Sequence, residues 1–101
     1  MDRRLELHEI LVDILGSRNV YFQPPSDVRM KYPAIVYKRT DIDILHADDG
    51  VHRKTTAYEV IVIDPDPDSE IVYKVADLPK CRFMNHYTAD NLNHDAFKLY
   101  Y

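Results

Sequence analysis

With 101 residues, 46% of them apolar, the chain can build one modest core and one domain, residues 1–101. Thirteen basic and seventeen acidic side chains leave a net charge of −4, which disfavours binding to bare nucleic acid or anionic membrane surfaces. A single cysteine excludes an internal disulfide or a Cys-rich zinc site, and no apolar run approaches the roughly 20 residues of a spanning helix.

The segment Met1 to His8 is charged and lacks an apolar signal core, so a protein that is not secreted is expected. The first element is a helix. Leu7, Ile10, Leu11, Ile14 and Leu15 form one apolar stripe, and Gly16 stands where a helix commonly ends. One stripe means one buried side, so this helix should lie across a sheet. A short extended piece, Val20-Tyr21-Phe22, precedes Pro24-Pro25, which opens a loop that Val28, Met30 and Tyr32 can anchor. Ala34 to Arg39 is β-branched and aromatic and reads as a strand.

Thr40 to Thr56 is mostly polar, with the turn signal Asp48-Asp49-Gly50 near its middle. It reads as a long hairpin with its tip at Ala47 to Val51. Its apolar content is too small to bury, so it projects into solvent or toward a partner. Ala57 to Ile63 is the strongest strand, apolar at both parities, and is expected to be central and covered on both faces. A second helix follows, with Asp66 as N-cap and Pro67 at the first helical position. Ile71, Val72, Val75 and Leu78 form its apolar face, and Pro79 follows its end. Strands at Cys81 to Tyr87 and His94 to Tyr101 flank a loop from Thr88 to Asn93.

The order α-β-β-β-α-β-β predicts an α+β fold, one mostly antiparallel sheet packed by two helices, with a long protruding hairpin. The expected core sets Leu11, Ile14, Val72 and Val75 against a sheet carrying Val36, Val60 and Val62.

No catalytic constellation emerges, and no enzyme activity, cofactor or metal is expected. Asp64, Asp66 and Asp68 invite a calcium loop, but Ser69 and Val75 stand where that loop needs Gly and Glu. His8-Glu9 opens like a zincin helix, but Val12 replaces the second His. His86 and His94 flank the last loop and could approach each other there with Asp90 or Asp95, although ordinary hydrogen bonding is the plainer reading. Cys81 has no evident activating partner, and a strand position favours a buried, inert thiol. The two glycines, Gly16 and Gly50, belong to no phosphate-cradling loop. The residues left for a function are those of the hairpin: Asp41, Asp43, His46, Asp48, Asp49, His52, Arg53 and Lys54, a candidate partner interface. Its acids come first and its bases follow, so they can pair within one subunit or between neighbours.

Four strings then come together: Tyr32-Pro33-Ala34-Ile35-Val36-Tyr37, Tyr58-Glu59-Val60-Ile61-Val62-Ile63-Asp64, Asp66-Pro67-Asp68-Ser69-Glu70, and His86 to Asp95. Most of the chain resembles the tail terminator, or tail-completion, proteins of phages and prophages with long non-contractile tails. The resemblance implies a structural virion protein at the head–tail junction, assembled from subunits made in the host cytoplasm. It implies a ring of self-associated subunits, a hexamer, that caps the tail tube protein and meets the head–tail connector. Genomic DNA would pass through without specific binding, which negative charge favours. It implies no membrane contact and no catalytic residues. Two alternatives remain: another neck or head-completion protein, and a small monomeric phage-encoded binding module or inhibitor.

Overall fold

A computed structural model describes residues 3–47 and 50–101, except for the side chains of residues 43–47 and 50–54. Helix α1 spans Arg3–Leu15 and buries Leu7, Leu11, Val12 and Leu15. Ile10 and Ile14 are half-buried, so the buried stripe is rotated from the expected one toward Val12. Ile14 and Ile71 line one groove, and Ile10 and Leu78 line another. Gly16 ends α1 at φ +81°, its N–H donating to the Val12 carbonyl at 2.8 Å.

Strands β1 (Val20–Phe22), β2 (Ala34–Ala47), β3 (Gly50–Asp64), β4 (Cys81–Ala89) and β5 (Leu92–Tyr100) form one sheet in the order β1-β2-β3-β5-β4. Every neighbouring pair is antiparallel except β1 with β2. The α+β class and the element order are as the sequence predicts.

Cross-strand rows show how the core is built. On one face run Ile35–Val62–Asp95–His86, then Tyr37–Val60–Phe97–Phe83, then Arg39–Tyr58–Leu99–Cys81. Most of their apolar members join Leu7, Leu11, Val12, Leu15 and Val75 in one buried cluster. Ile14, Ile71, Val72 and Leu78 pack against it from partly buried positions. Both helices therefore lie on the same face.

Three expectations are corrected here. First, β3 is central, but the helices cover only one of its faces; on the other, Ala57 and Ile63 are buried and Glu59 and Ile61 only half-buried. The opposite, open face carries Val36, Ile61 and Ala96 in one row, and Lys38, Glu59, Lys98 and Arg82 in another. Val36 thus belongs to the open face, and Ile35 and Tyr37 face the core instead. A two-residue period fixes which parity is buried only once the helices have chosen a side. The loop before β2 reaches the open face, where the Lys31 N–H donates to the Tyr21 hydroxyl at 3.5 Å.

Second, helix α2 spans Glu70–Ala76 and is capped by Ser69, whose hydroxyl accepts from the Ile71 N–H; Asp66 is not the cap. Asp64 and Asp66 each accept the N–H two residues on, at 2.9 Å. These Asx turns use the Asp66 and Asp68 N–H groups locally, and the helix starts only after the extended Ser69. Third, the last hairpin is tighter than expected. Ala89 pairs with Leu92, and the turn is Asp90-Asn91, at φ 54° and 63°. Two consecutive positive φ values mark a type I′ turn, which Asp and Asn tolerate better than other side chains.

Candidate assembly interface

The predicted hairpin is longer and more regular than a loop. Strands β2 and β3 stay paired from Ala34 opposite Ile63 out to Ala47 opposite Gly50, with bulges between Arg39 and Asp41 and between Leu45 and His46. Strand β1 stops at Tyr37 and β5 reaches only Ala57, so the outer hairpin stands alone as a two-stranded arm. The molecule measures 52 × 23 × 23 Å. Among the described residues, none from Lys38 to Ala57 belongs to the core cluster.

Asp41 is exposed, and its carboxylate accepts the N–H of Ile42 at 2.8 Å. Ile42 is itself 42% exposed. Asp43 lies opposite Thr55, His46 opposite Val51, Arg53 opposite Leu45 and Lys54 opposite Ile44. The register therefore sets neither Asp41 nor Asp43, the acids of this group among the described residues, directly across from a base. Arg53 is only a diagonal neighbour of Asp43, a weaker cross-strand relation. His52 sits at the outer bulge, without a register partner. The side chains of Asp43, His46, His52, Arg53 and Lys54 lie outside the described ones, and Asp48 and Asp49 lie outside the described residues altogether.

The other candidates are dispersed. His86 bonds Asp95 at 2.8 Å on the helix-bearing face, whereas His94 stacks on Tyr87 on the open face with ring centroids 4.7 Å apart. The sheet itself separates the two histidines. Cys81 is half-buried at the margin of the core, and desolvation pushes its thiol pKa up, away from the reactive thiolate. His8 faces inward from α1: its Nδ1 lies 2.8 Å from the hydroxyl of fully buried Tyr37, which also accepts from Arg4 at 3.3 Å. Burial lowers the His8 pKa, Glu9 opposes, and Arg4 and Arg18 reinforce the shift. A neutral imidazole accepting from Tyr37 fits this geometry. These three residues therefore lock α1 to β2.

Two further surfaces were not legible in the sequence. A groove of about 650 Å³ opens at the arm's base, lined by Arg3, Leu7, Ile10, Leu78, Lys80 and Tyr101 among others. The Arg3 guanidinium sits 4.5 Å from the Tyr101 ring centroid across its mouth. The second surface is β4. It is an edge strand, exposed from Arg82 to Ala89, and it holds Phe83, Met84 and Tyr87 at 51%, 48% and 42% exposure. Apolar side chains at both parities were visible in the sequence, but nothing there placed this strand at an edge.

Among the described residues, no group of three or more His, Cys, Asp or Glu side chains is gathered to hold a metal ion, and no helix is long and apolar enough to cross a membrane. No protein-family model matches the chain, and no curated protein is significantly similar to it.

Proposed function

We propose that this chain is a structural assembly protein whose work is done by surfaces that join it to other subunits. Within that class, its sequence resemblance favours a phage tail terminator. Copies would form a ring that caps the tail tube and joins it to the head connector, and the ring would have no catalytic duty. The observation that carries this reading is the arm. A two-stranded ribbon outside the core is marginal by itself in water. A compact monomer gains little from keeping one this long, but a subunit whose neighbour or tail tube completes the ribbon does gain. The net charge of −4 is compatible with a channel that lets DNA pass without sticking.

The test is complementation. A phage lacking the gene is supplied with a protein in which Asp41 to Lys54 is replaced by a two-residue turn. Failure of tail completion or head joining is expected while the shortened protein stays folded. Normal infectious titre from a well-folded, arm-deleted protein would remove the arm from the function and with it the main support for this reading.

A further inference from the structure

The two edges of the sheet are built differently. Edge strands expose unpaired N–H and C=O groups, and soluble proteins blunt them with short strands, prolines, lysines or inward charges. The β1 edge follows that pattern, with three residues and then Pro24-Pro25. The β4 edge does not. It runs for nine residues without Pro, Lys or an acid, and Phe83, Met84 and Tyr87 stay exposed. Its one blunting device is the bulge between Phe83 and Asn85, which leaves the strand on either side of it open.

A second unpaired edge lies on the same molecule. Beyond the end of β1, the outer side of β2 from Thr40 to Ala47 has no neighbouring strand among the described residues. The N–H of Arg39 donates to Gln23 Oε1 at 3.2 Å, and that of Ile42 to Asp41 Oδ1 at 2.8 Å. Local side-chain oxygens thus do part of what a neighbouring strand's carbonyls would do.

Charge and face agree between these edges. Arg82 and Lys98 are cross-strand partners on the open face, two like charges side by side, with Lys80 just before β4. Asp41 pairs with Ala57, whose neighbour Tyr58 faces the core, so Asp41 belongs to the open face too. A sheet continued from one molecule to the next with its faces preserved puts Asp41 on the same face as Arg82, the base carried by that edge strand. Strand β4 carries no carboxylate of its own, so pairing β4 with β4 of a second copy offers Arg82 none from within the strand.

We propose that the outer edge of β2 in one copy of this chain adds to the β4 edge of the next, so that the sheet runs on through the assembly. This rests on the self-associating role proposed above and specifies its contact. Two different edges meet, so the contact is head-to-tail, the kind that closes into rings when the rotation allows. Phe83, Met84 and Tyr87 then lose part of their exposure, and Arg82, which has only Lys98 as its cross-strand partner, gains a carboxylate.

The test measures association of the full chain by sedimentation velocity up to millimolar concentration, with hydrogen exchange of the β4 amides read in parallel. Asp41→Lys with Asp43→Lys, and separately Arg82→Glu, should each weaken association by about tenfold or more, because like charges then meet across the new strand pair. Met84→Lys with Tyr87→Lys should abolish it. All of these sites are on edges, so near-native thermal midpoints are expected and serve as the control for folding. Combining Arg82→Glu with the two arm substitutions should restore association, because every copy then carries the swapped pair. Association unchanged by the single sets, or weakened but not restored by the swap, overturns this pairing and leaves the ring intact. A symmetric dimer overturns it too. A wild-type chain that stays monomeric, its β4 amides exchanging freely at every concentration, also overturns it, and the complementation experiment then decides separately whether the protein serves in the tail.

Discussion

Tyr37 shows at the residue scale how this small core is tied together. Its ring is fully buried, 4.9 Å from Phe22 and 6.0 Å from Tyr58 between centroids, and its hydroxyl meets His8 and Arg4. The His8 ring is held below its ordinary value of 6.5, first by burial. As pH falls, the unfolded chain therefore takes up this proton before the folded one does. The stability from neutral His8 is complete above the unfolded value and is lost as pH drops through the folded one. The thermal midpoint should fall as pH drops below His8's ordinary value of 6.5 and on through its folded one, and His8→Gln should flatten that decline. Comparing the two proteins isolates His8 from the other histidines, and parallel profiles would sink the assignment. Leu11 is fully buried between α1 and the sheet, so Leu11→Ala should cost about 2–5 kcal/mol, read as a lower urea midpoint. Gly16 is different: a Cβ there would meet nothing within 4 Å, and only its φ of +81° demands glycine. Gly16→Ala should therefore destabilise by only about 1–2 kcal/mol, through backbone strain without any clash.

At the scale of elements, local chemistry sets the boundaries. Ser69 begins α2 because Asp64 and Asp66 commit the preceding backbone to turns. Ser69→Ala should cost about 1 kcal/mol in denaturant unfolding, the usual worth of an N-cap oxygen. An acidic, proline-rich run looks like a helix start from its composition, and the competing Asx bonds are what displaced the cap from Asp66. The arm behaves in the opposite way. Its strands continue the ladder of the body, yet the helical layer ends before it. Replacing Asp41 to Lys54 with a short turn should thus leave the urea midpoint of the body nearly unchanged. A large loss of stability would mean that the arm is part of the core after all.

For the whole molecule, the decisive fact is that a single helical layer covers a five-stranded sheet on one face only. The open face keeps Val36 and Ile61 half-buried, and the edges of β4 and outer β2 remain unpaired. A monomer would carry these features as liabilities, whereas a subunit can use each of them as a joint. Element types, their order and part of the core could be read from the sequence alone, because helical and strand periodicities are local properties of side-chain spacing. Leu7, Leu11, Val60, Val62 and Val75 were readable in that way. Three things were decided only by tertiary structure. The strand order set β4 at an edge. Both helices chose one face, which sent Ile35 rather than Val36 into the core. The arm's register placed Asp43 opposite Thr55 instead of a base. The first two depend on which distant segments meet, which leaves no periodic trace in the chain, and the third depends on two bulges that side-chain spacing does not reveal.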